Sequence, residues 1–154
     1  MGYRIVMSAL GLDHQLCFAL YSASRAMTAV YRPILTELNL TYPQYLVLLA
    51  LWEEDRATVS RLGERLRLDS GTLSPLLKRL ETNGLIRRER SASDERLVEV
   101  TLTPDGRHLE RKAQCIPEKL ALATGIAERE ATDLRDAVRQ LTDALQASLR
   151  KESA

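Results

Sequence analysis

Cysteine, histidine and long apolar runs are all scarce in this chain of 154 residues, and each scarcity removes a class of function. Two cysteines, Cys17 and Cys115, stand far apart with no C-x-x-C pair, and neither His14 nor His108 is spaced from them as a ligand. That excludes a disulfide scaffold and a zinc site, so neither metal nor cofactor is expected. No apolar stretch approaches the ~20 residues that cross a bilayer. Residues 1–12 lack the basic cluster and small-residue cleavage site of a signal peptide and read as a flexible arm. The expectation is a cytoplasmic protein with no membrane partner. His14 and His108 read as polar helix or surface positions and take no role.

What is present is globular. Hydrophobic residues at 45% and charged residues at 28% leave no case for disorder, and the length allows one domain with a real core. A net charge of +1 conceals an uneven distribution. Residues 1–55 carry 3 basic and 5 acidic side chains, residues 56–100 carry 10 and 7, and the remainder 9 and 9. The basic excess lies in the middle, but a solvated face would explain it nearly as well, so spacing has to decide.

Along residues 16–34 the apolar positions Leu16, Leu20, Ala23, Met27, Val30 and Ile34 step by four and three, the stripe of one long helix that Pro33 should end or kink. Thr41-Tyr42-Pro43-Gln44 is a capping box with proline in the first turn, and it opens a very apolar helix through Trp52, which reads as core. A short helix follows over residues 59–67. Asp69 or Ser70 caps another that stops at Asn83-Gly84. Residues 85–90 and 97–102 alternate as two strands joined by a polar loop, and Thr103-Pro104-Asp105 opens a further helix. The last helix, residues 128–151, repeats a thin heptad stripe of Leu134, Val138, Leu141, Leu145 and Leu149 that suits a partner helix. Both ends therefore read as association surfaces of a homodimer.

Two short helices and a basic hairpin form a winged helix-turn-helix, and the fold class is α+β, mostly α, with N- and C-terminal dimerisation helices. The second helix of the pair would lie in the major groove of double-stranded DNA with Ser70, Gly71, Thr72, Ser74 and Pro75 at base edges. Lys78 and Arg79 follow toward phosphate. Arg87, Arg88, Arg90 and Arg96 surround the hairpin, where arginine suits a narrow minor groove. A second pattern lies on the first long helix. Cys17, Tyr21, Ser24, Thr28 and Tyr31 step by four and three as a polar stripe, and a tyrosine hydroxyl can donate a hydrogen bond to a thiolate, the form that attacks peroxide. Tyr21 can lie beside its own Cys17. Tyr31 is fourteen residues on, about 21 Å along a straight helix, so it reaches a Cys17 only across a dimer; Tyr42 can join it.

The run D-S-G-T-L-S-P-L-L-K-R-L-E at residues 69–81, G-L-I-R-R at 84–88 and D-E-R at 94–96 resembles the MarR family of repressors. The likeness extends from Leu12 onward. It implies a single domain over residues 13–154: sensor and dimerisation helices at 13–55, the winged helix at 56–102 and dimerisation helices at 103–154. It also implies a two-fold dimer on a pseudo-palindromic operator with half-sites one helical turn, ~34 Å, apart, and a wing shaped by Asp94 and Arg96. L-C-F-A-L-Y at 16–21, Y-R-P at 31–33 and L-T-Y-P-Q-Y-L at 40–46 resemble the organic-hydroperoxide-sensing branch. That resemblance implies Cys17 as the oxidised sensor, Tyr31 and Tyr42 as its cross-subunit partners, Tyr21 as a neighbour, and release of DNA on oxidation. Some members of the branch close a disulfide with a second cysteine, expected here near Leu122, where there is none. Cys115 is a candidate resolving thiol, with a small thiol as the alternative. Two other readings stay open: a repressor released by a small phenolic or lipophilic anion, and a thiol peroxidase. Against the latter, no arginine stands in a Pro/Thr/Cys arrangement around Cys17.

Overall fold

The structure, a computed structural model, describes residues 10–152; most of the expected N-terminal arm lies outside them. The chain forms two compact units, one running to Cys115 and the other beginning at Ile116. No described helix is long and apolar enough to cross a membrane.

The first unit opens with a single 3-10 turn, Leu12–His14, and the long helix α1, Leu16–Thr36. Pro33, expected to end or kink α1, does not end it. The helix continues three residues beyond it, because Leu35 is buried there and its carbonyl accepts from the amides of Leu38 and Leu40, both at 3.0 Å. Burying a leucine contributes about 2 kcal/mol, enough to offset much of the hydrogen bond that proline removes. Helix α2, Tyr42–Glu54, starts as its capping box predicts, the Thr41 amide donating to Gln44 Oε1 at 2.9 Å. Its Tyr45, Val47, Leu48, Ala50 and Leu51 are buried. Trp52 is only half-buried, because its indole N–H must find a partner and does so at the Gly106 carbonyl, 3.0 Å away.

A strand the periodicity did not suggest, β1, Arg56–Thr58, precedes helix α3, Val59–Leu66, whose first turn is capped by the Thr58 hydroxyl accepting from the Arg61 amide. Arg65 fastens the end of α3 to α2, donating to the Ala50 carbonyl at 3.2 Å and pairing with Glu53 and Glu54. Helix α4, Ser70–Thr82, buries Leu73, Leu77 and Leu80 and stops as expected at Gly84. There φ is +73°, the Gly84 amide bonds the Glu81 carbonyl, and the Leu85 amide bonds the Leu80 carbonyl. Strands β2, Ile86–Arg90, and β3, Val98–Leu102, follow. All pairing is antiparallel in the order β1-β3-β2, with Ile86 opposite Leu102 and Ala57 opposite Val100. These four residues seal the sheet face against Leu48, Leu51, Leu62 and Leu80 as one buried set.

Helix α5, Pro104–Ala113, is capped by Thr103, whose hydroxyl accepts from the Gly106 amide at 3.1 Å. Helicity is then interrupted at Gln114 and Cys115, and the second unit holds α6, Ile116–Thr124, and α7, Glu128–Glu152. The break falls where Pro117 is tolerated, in the first turn of a new helix. Leu134, Leu145 and Leu149 on α7 stand 60%, 56% and 62% exposed.

Gly106 is the tightest point of the fold. A Cβ there would stand 2.1 Å from the Leu85 carbonyl oxygen and 3.1 Å from Leu102. The obstacle is backbone, so Gly106→Ala should destabilise the protein by about 1–3 kcal/mol, read as a lower urea midpoint with unchanged slope.

Candidate functional site

Residues of three kinds meet at the exposed end of α4. Ser70, Gly71, Thr72, Ser74 and Pro75 are all exposed at its start, and Lys78 and Arg79 are exposed one turn later. The sequence produces this by placing the buried leucines at positions 73, 77 and 80, which leaves most of the opposite face polar. Asp69 sets the start, its carboxylate accepting from the Thr72 amide at 2.9 Å and the Thr72 hydroxyl at 3.0 Å. Those bonds hold its acid below the usual carboxylate range.

The hairpin separates its arginines into two groups. Arg87 and Arg90 are exposed, as are Lys78 and Arg79 on α4, and none of these four makes an ion pair among the described residues. Arg88 is committed elsewhere. Its Nε and Nη2 donate to Glu81 Oε2 at 3.0 and 2.7 Å, and its amide donates to Glu81 Oε1 at 3.0 Å. It joins the wing to α4, and its charge is already paired there. The charged hydrogen bond to Arg88 lowers the Glu81 acid below its ordinary range. At the tip, Arg96 is 91% exposed yet anchored, its amide and Nε both donating to Asp94 Oδ1 at 3.1 Å. Below it Ser91 is buried and donates to Glu99 Oε1 at 3.0 Å. This serine was not anticipated from sequence. Its signal would have been the small residue just after strand β2, two positions beyond the Glu89 that pairs with Glu99 of β3.

Cys17 and the tyrosines Tyr31 and Tyr42 do not meet within one chain. Cys17 is exposed on the first turn of α1 and bonds to none of the described residues. Tyr21, its same-chain neighbour in the stripe, is 58% exposed and engaged with Arg25, whose Nη1 donates to its hydroxyl at 3.0 Å while the guanidinium lies 5.5 Å from the ring centre. Tyr31 and Tyr42 do come together, ring centres 4.8 Å apart, with Tyr45 at 6.1 Å from Tyr31. Burial first, then the neighbouring Tyr42 and Tyr45 hydroxyls, pushes the Tyr31 pKa up to about 12. Burial also raises Tyr42 and Tyr45. All three keep their protons at neutral pH and can donate. Cys115 is exposed, its thiol donating to the Lys112 carbonyl at 3.3 Å, and it lies close enough to Tyr45 to contribute to that group's raised pKa. The described residues hold no group of His, Cys, Asp and Glu able to bind a metal ion.

Residues 29–113 match the family model described as transcriptional regulator SarA/Rot. Over 124 residues the chain is 52% identical to the organic hydroperoxide resistance transcriptional regulator of Bacillus subtilis (strain 168), covering 80% of this chain and 82% of that protein. Among solved structures it is similar to AbfR of Staphylococcus epidermidis. Reduced AbfR bound to DNA is 36% identical, with a TM-score of 0.74 over 90% of this chain and 94% of that one. The disulfide-formed AbfR, also 36% identical, has a TM-score of 0.60 over 91% and 98%.

The raised Tyr31 pKa has a consequence for folding. The group stabilises the fold fully below the unfolded value of 10.0, and the contribution is lost as pH rises through about 12. Urea midpoints measured between pH 9 and 12 should therefore fall more steeply for the wild type than for Tyr31→Phe.

Proposed function

This chain belongs to the MarR family of winged-helix transcriptional regulators, and we propose that it is a homodimeric repressor that releases its operator when an organic hydroperoxide oxidises Cys17. Helix α4 enters the major groove with Ser70, Gly71, Thr72, Ser74 and Pro75 at the bases, while Lys78 and Arg79 meet phosphates. Arg87, Arg90 and the Asp94-anchored Arg96 carry the wing into the neighbouring minor groove. Two copies join through the exposed apolar residues of the 3-10 turn and α1, Leu12 at 60% and Leu16 at 59% exposed, and through the apolar face of α7.

One observation carries the sensing role. Cys17 has no partner among the described residues of its own chain, while Tyr31 on α1 and Tyr42 at the start of α2 form a protonated pair, and straight-helix geometry keeps Tyr31 away from the thiol. Antiparallel crossing of two α1 helices brings each thiol to the other subunit's tyrosine pair. The Cys17 sulfur then attacks the peroxide, forming an S–O bond as the O–O bond breaks. The sulfur is oxidised by two electrons to a sulfenic acid and the peroxide is reduced to an alcohol, which takes up the thiol proton. Condensation with a second thiol, Cys115 or a small one, gives a disulfide and water. The larger group no longer accepts the tyrosine hydrogen bonds, and the two copies reorient. The likeness to a regulator named for organic hydroperoxide resistance, and to one solved both reduced on DNA and in a disulfide form, supports this reading.

A second reading has its own observation. A cavity of about 350 Å³ bounded by Thr28, Arg32, Leu35, Thr41 and Tyr42 suits a small aromatic acid, with Arg32 as counter-charge. Operator binding with and without cumene hydroperoxide distinguishes the two. Wild type should lose affinity at least tenfold on treatment and Cys17→Ser should not change; a Cys17→Ser protein that still releases DNA sinks the thiol mechanism.

The two groups of arginines make a second prediction. Arg87→Ala should weaken operator binding and reduce the slope of log affinity against log salt by about 1. Arg88→Ala should weaken binding with little change in slope, since its charge is already taken by Glu81.

A further inference from the structure

The direction of one hydrogen bond at the start of α4 decides what that surface can ask of a base. Asp69 Oδ1 accepts from the Thr72 amide at 2.9 Å, and Oδ2 lies 3.0 Å from the Thr72 hydroxyl. An ionised carboxylate only accepts, so the hydroxyl must be the donor, and a hydroxyl has one proton. The same bonds keep Asp69 ionised at neutral pH. Gly71 leaves the room for this arrangement, since a Cβ there would come within 3.1 Å of Asp69 Oδ1. Thr72 is exposed, and what its oxygen has left to offer is lone pairs. Ser70 and Ser74 differ: their hydroxyls bond to none of the described residues and can turn either way.

Resting on the DNA-reading role proposed above, we infer that Thr72 reads the major groove as an acceptor only. It selects a base that presents an exocyclic amine, adenine at N6 or cytosine at N4, over one that presents a carbonyl, guanine at O6 or thymine at O4. Asp69 is the positioning residue that sets this polarity.

The test is selection of duplexes from a randomised library by the reduced full-length protein, comparing wild type, Asp69→Asn and Thr72→Val. Asparagine caps a helix as well as aspartate does, and circular dichroism checks that α4 persists. In Asp69→Asn the Thr72 amide still requires an oxygen acceptor, so the side-chain NH2 faces the hydroxyl and donates to it. The hydroxyl proton is then released toward the groove. At one position per half-site, wild type should prefer adenine or cytosine by about tenfold. Thr72→Val should flatten that position alone, and Asp69→Asn should shift it toward guanine or thymine. A wild-type preference for guanine or thymine at the position Thr72→Val flattens overturns the inference. So does an unchanged preference in both variants, or a uniform loss of affinity with a shallower salt slope, which marks a phosphate contact. If wild type selects an operator and either result follows, only the inference falls; if wild type selects no sequence, the DNA-reading role falls with it.

Discussion

The contact between Gly106 and the Leu85 carbonyl is the constraint on which the reading surface depends. Leu85 sits between the end of α4 and the start of β2, so whatever presses on its backbone places recognition helix and wing together. Thr103 tightens the same joint: its hydroxyl donates to the Gly84 carbonyl at 2.6 Å and its amide to the Leu85 carbonyl at 3.1 Å. A side chain at position 106 would force the Leu85 backbone to shift, and the Gly106 carbonyl accepts the Trp52 indole N–H. Through Trp52 the joint is packed against Tyr45, 6.2 Å between ring centres, and through Tyr45 against Tyr31 on α1. An unbroken set of aromatic contacts thus links the helix that carries the thiol to the joint that sets the wing. Contiguity alone is not coupling; it becomes coupling when one end has two discrete states, and oxidation of Cys17 is the only such pair of states proposed for this chain.

A positively charged hairpin does not present all of its charge to a partner. Arg88 shares the inward face of β2 with Ile86, two residues earlier, so it turns back toward α4 and meets Glu81. Arg87, on the opposite face, has no such neighbour. The pair with Glu81 is partly exposed and contributes little to stability, but it is bidentate, and together with the backbone bond to Arg88 it fixes the angle between wing and helix. The basic excess of the middle segment therefore overstates the charge available to phosphate.

Much of the fold was legible because helix ends are written in short local signals. Thr41 with Gln44, Asp69, Asn83-Gly84 and Thr103-Pro104 each act through hydrogen bonds within four residues, so neighbours in sequence suffice to read them. The misreadings share the opposite property. Strand β1 has three residues, too few to show alternation, and exists only by pairing with β3 more than forty residues later. Pro33 stays inside α1 because of the burial of Leu35, a tertiary effect. Trp52 is held at the edge of the core by a hydrogen bond to Gly106, 54 positions away. The alternation of β2 did carry a warning about Arg88, since counting by two from Ile86 places it inward. Cys17, Tyr31 and Tyr42 were legible as residue types, and within one chain Cys17 forms no contact with Tyr31 or Tyr42.

In the proposed dimer the other copy's tyrosines would stabilise the reduced thiol, so the same association that spaces two recognition helices would also supply the donors at sulfur. The donors themselves are insensitive to ordinary changes of pH, because burial and mutual repulsion hold the Tyr31 proton to about pH 12 and raise Tyr42 as well. In the proposed switch protonation of the tyrosines does not serve as the trigger, and the variable left is the Cys17 sulfur. Once an oxygen or a second sulfur is attached to it, the hydroxyls face a larger and weaker acceptor in a half-buried site. In that proposal the cost of leaving donors unpaired there would give oxidation its leverage over the dimer.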